Sequence, residues 1–115
     1  MATETVAVLR CRGRLNMVAA DRLNIALNRL LEAGRHRIVV DLAGVSFIDS
    51  SCLGALIAGL KKARHANGDL RICGAQPAVL TVLSLTNLDR VLPNYETVEL
   101  AMADWAPGMT ARCHS

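Results

Sequence analysis

The apolar positions of this chain change period several times, and each change marks an element. Val6, Val8 and Cys11 stand among Glu4, Arg10 and Arg12 up to Gly13, a pattern that predicts a first strand closed by a turn. Leu15 extends a brief second strand beyond it. Over residues 18–33 the apolar side chains fall at Leu23, Ala26, Leu27, Leu30 and Leu31, one stripe at helical spacing, with Asp21, Arg22, Asn28, Arg29 and Glu32 elsewhere. Asn16 is placed to cap that helix and Gly34 to end it. Residues 37–42, Arg-Ile-Val-Val-Asp-Leu, are apolar and β-branched in succession rather than in alternation, as in a central strand buried on both faces.

After a turn at Ala43 and Gly44, Val45 to Ile48 lead into Asp49, Ser50 and Ser51, short polar side chains of the kind that cap helices. A second helix is therefore expected from near Ser50, with its stripe at Leu53, Leu56, Ile57 and Leu60. Its last turns carry Lys61, Lys62, Arg64 and His65, which complement the negative end of the helix dipole. Residues 69–74 read as a further strand, giving strand, helix, strand with a parallel crossover. Pro77 suits the first turn of a third helix running to about Leu85, and Asn87 a left-handed terminating position. Residues 91–95 form a weak strand that Pro93 restricts to an edge, and Thr97 caps a last helix through Met102. The expected architecture is an α/β domain over residues 1–103, a small mixed β-sheet with about four helices packed against it, followed by an irregular tail over residues 104–115.

Composition narrows the functional classes. With 115 residues, 52% hydrophobic and 20% charged, the chain fits one folded domain with an aliphatic core and no separate catalytic domain. One Trp, one Tyr and one Phe cannot supply a row of stacking platforms, and a scattered net charge of +3 makes no basic face, so direct nucleic-acid binding is not expected. The N-terminus lacks the basic and apolar regions of a leader, and the apolar run over residues 52–60 is too short to span a bilayer; no membrane insertion and a cytoplasmic location are expected. Cys11, Cys52, Cys73 and Cys113 are widely spaced with no C-x-x-C pair, so neither a metal site nor a disulfide framework is signalled. No Ser-His-acid order, nucleophile elbow, phosphate loop or dinucleotide fingerprint is present, and no cofactor or catalytic residue is expected.

The densest polar knot in an apolar setting is Asp49-Ser50-Ser51-Cys52, between a strand and the start of a helix. Ligands and partners of open α/β sheets dock on such loops. A phosphate on Ser50 would sit at a helix N-terminus, whose unpaired N–H groups and partial positive charge tolerate it. Its effect would then fall on the outer surface, where about two negative charges replace a small hydroxyl. The plainer reading makes Asp49 and Ser50 ordinary caps. Cys52 likewise has two readings, a core thiol or an oxidisable one near a helix start. Met17, Val18 and Ile25 lie off the stripe of the first helix and, if exposed, would form an apolar rim beside Ser50.

Residues 38–42, the stretch Val45-Ser46-Phe47-Ile48-Asp49-Ser50-Ser51-Cys52-Leu53-Gly54, and the segment from Gly68 to Val79 together resemble the STAS domain of bacterial anti-sigma-factor antagonists, over residues 5–103. The resemblance implies the STAS fold and makes Ser50, the first Ser after the Asp of the motif, the phosphorylation site. It further implies partner switching. The unmodified antagonist would bind an anti-sigma factor that is also a serine kinase and so free a sigma factor; phosphorylation would break the complex, and a serine phosphatase would reset it. ATP and Mg²⁺ would serve the kinase. Asn16, Asp49, Ser50, Ser51 and Cys52 form the implied contact set, with Cys52 where the family has Gly and Asn16 where it has an acid. Two alternatives stand beside this one: a non-phosphorylated STAS subunit or scaffold of a lipid-transport or stress-signalling complex, and a small enzyme or redox sensor acting through Cys52.

Overall fold

In the computed structural model, residues 6–105 are described in full and residues 110–114 by their backbone. Strand β1 (Val6–Leu15) leads into helix α1 (Met17–Glu32), β2 (Arg37–Ile48) into α2 (Ser50–His65), and β3 (Asp69–Cys73) into α3 (Pro77–Leu85). A short 3₁₀ turn, the two-residue strand β4 (Asn94–Tyr95), helix α4 (Val98–Ala101) and strand β5 (Thr110–His114) complete the order. The strands pair as β4-β3-β2-β1-β5.

Every one of these pairings is parallel, so the sheet is not mixed as expected. The cause is the alternation itself, since a helix returns the chain to the same end of the sheet after each of β1, β2 and β3. β1 and β2 are also longer than the sequence pattern indicates. Each runs through its expected turn, at Gly13 and at Ala43-Gly44, because the register shifts between Arg10 and Arg12 and between Gly13 and Arg14 absorb the irregularity without ending the pairing. A second departure lies at the C-terminus. Residues 104–115 are not wholly irregular: Trp105 packs onto the sheet, Asp104 pairs with Arg71 of β3, and Thr110–His114 pairs with β1 from Val6 to Arg10.

The two faces of the sheet bury different things. Ile38 and Val40 point with Ala7, Leu9 and Ile72 into the layer formed by α1, α2 and α3, while Val39 points the other way with Val6, Val8 and Cys73 towards Ala101 and Trp105. That split is why residues 38–40 are apolar in succession: all three have no exposed surface. On the second face Arg71 gathers the last turn, with Nε 3.2 Å from Asp69, Nη1 donating to the Ala101 carbonyl at 2.8 Å, Nη2 donating to Asp104 at 3.1 Å, and the guanidinium 4.0 Å from the Trp105 ring centre. The hydrogen bonds from Arg71 hold the Asp104 carboxyl below its ordinary pKa.

The two glycines inside α2 behave differently. A Cβ at Gly59 would lie 2.9 Å from Leu27 Cδ1 and 3.2 Å from Leu70 Cδ1, so this glycine lets α1 and β3 close on α2. Leu27 is 1% exposed, and burying a leucine contributes roughly 1.5–3 kcal/mol. At Gly54 a Cβ would meet nothing within 4 Å. Among the described residues nothing offsets the roughly 1 kcal/mol of helix propensity forgone there.

Candidate functional site

The C-terminal ends of β1 and β2 carry two helix starts side by side. Asn16, in extended conformation, caps α1 through Oδ1, which accepts from the N–H groups of Val18 at 3.1 Å and Ala19 at 3.2 Å. Asp49, also extended, caps α2 by accepting from Cys52 N at 3.1 Å. Two further bonds stitch these starts together: Asp49 N donates to the Leu15 carbonyl at 3.0 Å, and the Cys52 thiol reaches the Asn16 carbonyl at 3.3 Å. The corner is thus a single unit made of two caps and a thiol.

Ser50 is the first residue of α2 and is exposed, Ser51 is half-buried, and Asp49 is half-buried with one oxygen engaged in the cap. Four residues along the helix from Ser50, on the same face, the exposed Gly54 continues a surface without side-chain relief. Met17 at 70% exposure and Val18 at 67% stand on the neighbouring helix start, and Ile25 at 52% lies two turns further along α1. Val18 and Ile25, seven residues apart, share the outward face. The apolar rim suggested by the sequence is therefore exposed. Phe47, 40% exposed, has the Arg14 guanidinium 5.1 Å from its ring centre.

Cys52 corrects the expected contact set. Its side chain is fully buried and turned inward to the Asn16 carbonyl, so it presents no thiol to a partner. For the same reason a cysteine here leaves the outer surface as a glycine would. Asn16 is exposed, but its side-chain oxygen is occupied by two cap bonds, which makes its first task structural. Burial pushes the Cys52 thiol up to about 11, with the Asp49 carboxylate adding to the rise, and pushes Cys11 to about 11 and Cys73 to about 12. These are the environments of inert thiols, not reactive ones. Alkylation of native protein with iodoacetamide between pH 7 and pH 9 is accordingly expected to leave Cys11, Cys52 and Cys73 unmodified until denaturant is added; labelling of Cys52 in the folded state would overturn this.

Among the described residues no group of three or more His, Cys, Asp or Glu side chains is placed to hold a metal ion, and no helix is long and apolar enough to cross a membrane. What the corner offers is a shaped surface: a serine hydroxyl at a helix start, an open glycine, and an apolar rim.

The family model of the STAS domain matches residues 2–101, and the chain belongs to the STAS domain family. An anti-sigma F factor antagonist from Paenibacillus polymyxa is 24% identical, with 86% of each chain covered. The crystal structure of a proposed anti-sigma factor antagonist from Thermotoga maritima superposes with a TM-score of 0.79 at 31% identity, covering 85% of each chain. An anti-sigma factor antagonist from Mycobacterium paratuberculosis superposes at 0.77 with 28% identity, covering 90% of this chain and 87% of that one.

Proposed function

We propose that this domain is an anti-sigma-factor antagonist, a binding module rather than an enzyme, whose corner around Ser50 docks on an anti-sigma factor and so releases a sigma factor. The observation that carries the proposal is the exposed Ser50 hydroxyl at the capped start of α2, flanked by Gly54 and by the exposed Met17 and Val18. Relatives bearing the antagonist name across most of the chain support it. In this reading the anti-sigma factor is also a serine kinase, and it phosphorylates Ser50 using ATP and Mg²⁺. The phosphate is tolerated by the domain because it sits at a helix N-terminus. It is not tolerated by the complex, because about two negative charges appear where the partner had met a neutral hydroxyl. A serine phosphatase restores the binding form.

Intact-mass and phosphopeptide analysis tests this after incubation of the pure protein with native extract of its own host and Mg-ATP, with Ser50→Ala as control. The expected result is a gain of one phosphate located on Ser50 and absent from the control. A partner that co-purifies under these conditions while no phosphate appears would overturn the switch and leave a constitutive binding domain.

A further inference from the structure

On the flank of α1 opposite α2 lies a cleft of about 190 Å³ lined by Cys11, Arg12, Leu15, Ala19, Arg22 and Leu23. Its floor is apolar, formed by the buried Cys11, Leu15 and Leu23. Its rim is cationic. Arg12 and Arg22 are exposed, and neither forms an ion pair or side-chain hydrogen bond among the described residues, in contrast to Arg64 and Arg71, which are held by aspartates. Two uncompensated guanidiniums over an apolar floor call for an apolar group with carboxylates beside it.

Size decides what kind of ligand that is. Small-molecule and cofactor sites run to about 300–1,000 Å³, so this cleft is too small for one and is scaled to a single aliphatic side chain. The backbone alongside suits a chain segment. β5 pairs with β1 only from Val6 to Arg10, so no described strand covers the outer edge of β1 beyond Arg10, where an extended segment can add its own hydrogen bonds.

Leu15 links the cleft to the Ser50 corner. Leu15 lines the cleft with its side chain while its carbonyl accepts from Asp49 N. Across the first turn of α1, successive residues advance by about 100°. The exposed Met17 and Val18 thus lead round from the α2 side to Ala19 in the cleft wall. We propose that this cleft is an anchor pocket for the same partner that docks at Ser50, receiving one leucine-like side chain from an extended acidic segment whose carboxylates pair with Arg12 and Arg22. The assignment of the partner rests on the function proposed above; the chemistry of the pocket does not.

Two experiments separate the two. In the first, isotope-labelled protein is titrated with acetyl-Glu-Leu-Glu-amide and with acetyl-Lys-Leu-Lys-amide, and amide shifts are followed by NMR. The acidic peptide is expected to move the amides of Cys11, Arg12, Ala19, Arg22 and Leu23. The basic peptide should not, and the double variant Arg12→Glu/Arg22→Glu, altered only at exposed positions, should reverse the preference. Equal responses to both peptides, or shifts confined to other regions, would overturn the pocket. In the second, the kinase identified by the Ser50 assay is titrated with wild type and the double variant. An affinity loss of about tenfold or more, shrinking as salt is raised, is expected. Equal affinity would overturn the docking role of the cleft while leaving the Ser50 reading intact. Failure of wild type to bind any such kinase would sink that reading, with the peptide titration still deciding the pocket.

Discussion

Replacing Gly68 by alanine is expected to destabilise the domain by about 3 kcal/mol and lower its melting temperature by about 10 °C, the largest effect of any glycine-to-alanine change among the described residues. The reason is not backbone conformation but space. A Cβ at Gly68 would stand 1.9 Å from the His36 carbonyl oxygen and 2.5 Å from its carbon, both main-chain atoms that no rotamer change can move. The neighbourhood is fixed from both sides. Gly68 N donates to the Ala63 carbonyl at 2.8 Å, closing the end of α2 behind Asn67 at φ 66°, and Asp69 N donates to that same His36 carbonyl at 2.9 Å, opening β3 beside β2. A methyl group here must prise the α2 terminus away from the start of β2 and break one or both of these bonds. Gly54→Ala supplies the counterpart: with nothing within 4 Å of the new methyl, it should raise stability by up to about 1 kcal/mol through helix propensity alone. Thermal and urea melts of the two variants would check the pair. A Gly68→Ala protein that melts within about two degrees of wild type would show that the α2–β3 junction is not packed as described.

The contrast between those glycines marks where sequence reasoning stops. Local signals placed the helix starts well: Asn16, Asp49 and Thr97 cap α1, α2 and α4 through their side chains, Pro77 opens α3, and Asn87 takes the left-handed position at φ 59°. These are properties of neighbouring residues, so neighbouring residues reveal them. The successive burial of Ile38, Val39 and Val40 was equally legible, because only a strand covered on both faces needs it. What depends on distant chain was hidden. Which of Gly54 and Gly59 is packed is settled by Leu27 and Leu70, one on another helix and one on a strand. Thr110–His114 alternates polar and apolar residues, but its apolar positions are only the small Ala111 and Cys113, and what makes it a strand is its pairing with β1. The polar knot at residues 49–52 was visible as a candidate site, but not the inward turn of Cys52, since that follows from the Asn16 carbonyl lying within reach across two loops. The cleft beside Arg12 and Arg22 was invisible for a related reason: its wall joins β1 to the far flank of α1, and no local pattern announces that an arginine lacks a partner.

Ser50→Asp should separate stability from recognition more sharply than any other substitution. An aspartate in the first turn of α2 faces the positive end of the helix dipole, so the domain is expected to melt at the wild-type temperature or up to a few degrees above it, a gain of about 0.3–1 kcal/mol. Affinity for the anti-sigma factor should move the other way, falling by about a hundredfold or more, equivalent to roughly 2.7 kcal/mol. The charge would be placed on an exposed face shared with Gly54, where a partner can approach the helix closely. Ser50→Asn controls for size, since it adds a comparable side chain without the charge. If aspartate prevents binding and asparagine only weakens it, charge repulsion carries the switch; if both prevent it equally, the surface rejects bulk and phosphate would act as a wedge. Cys52→Gly completes the set. Because the Cys52 thiol is buried against the Asn16 carbonyl, the glycine variant should lose stability and still bind with wild-type affinity. Calorimetric titration of the folded variants would distinguish these outcomes, and an unaltered affinity in Ser50→Asp would remove the α2 start from the interface altogether.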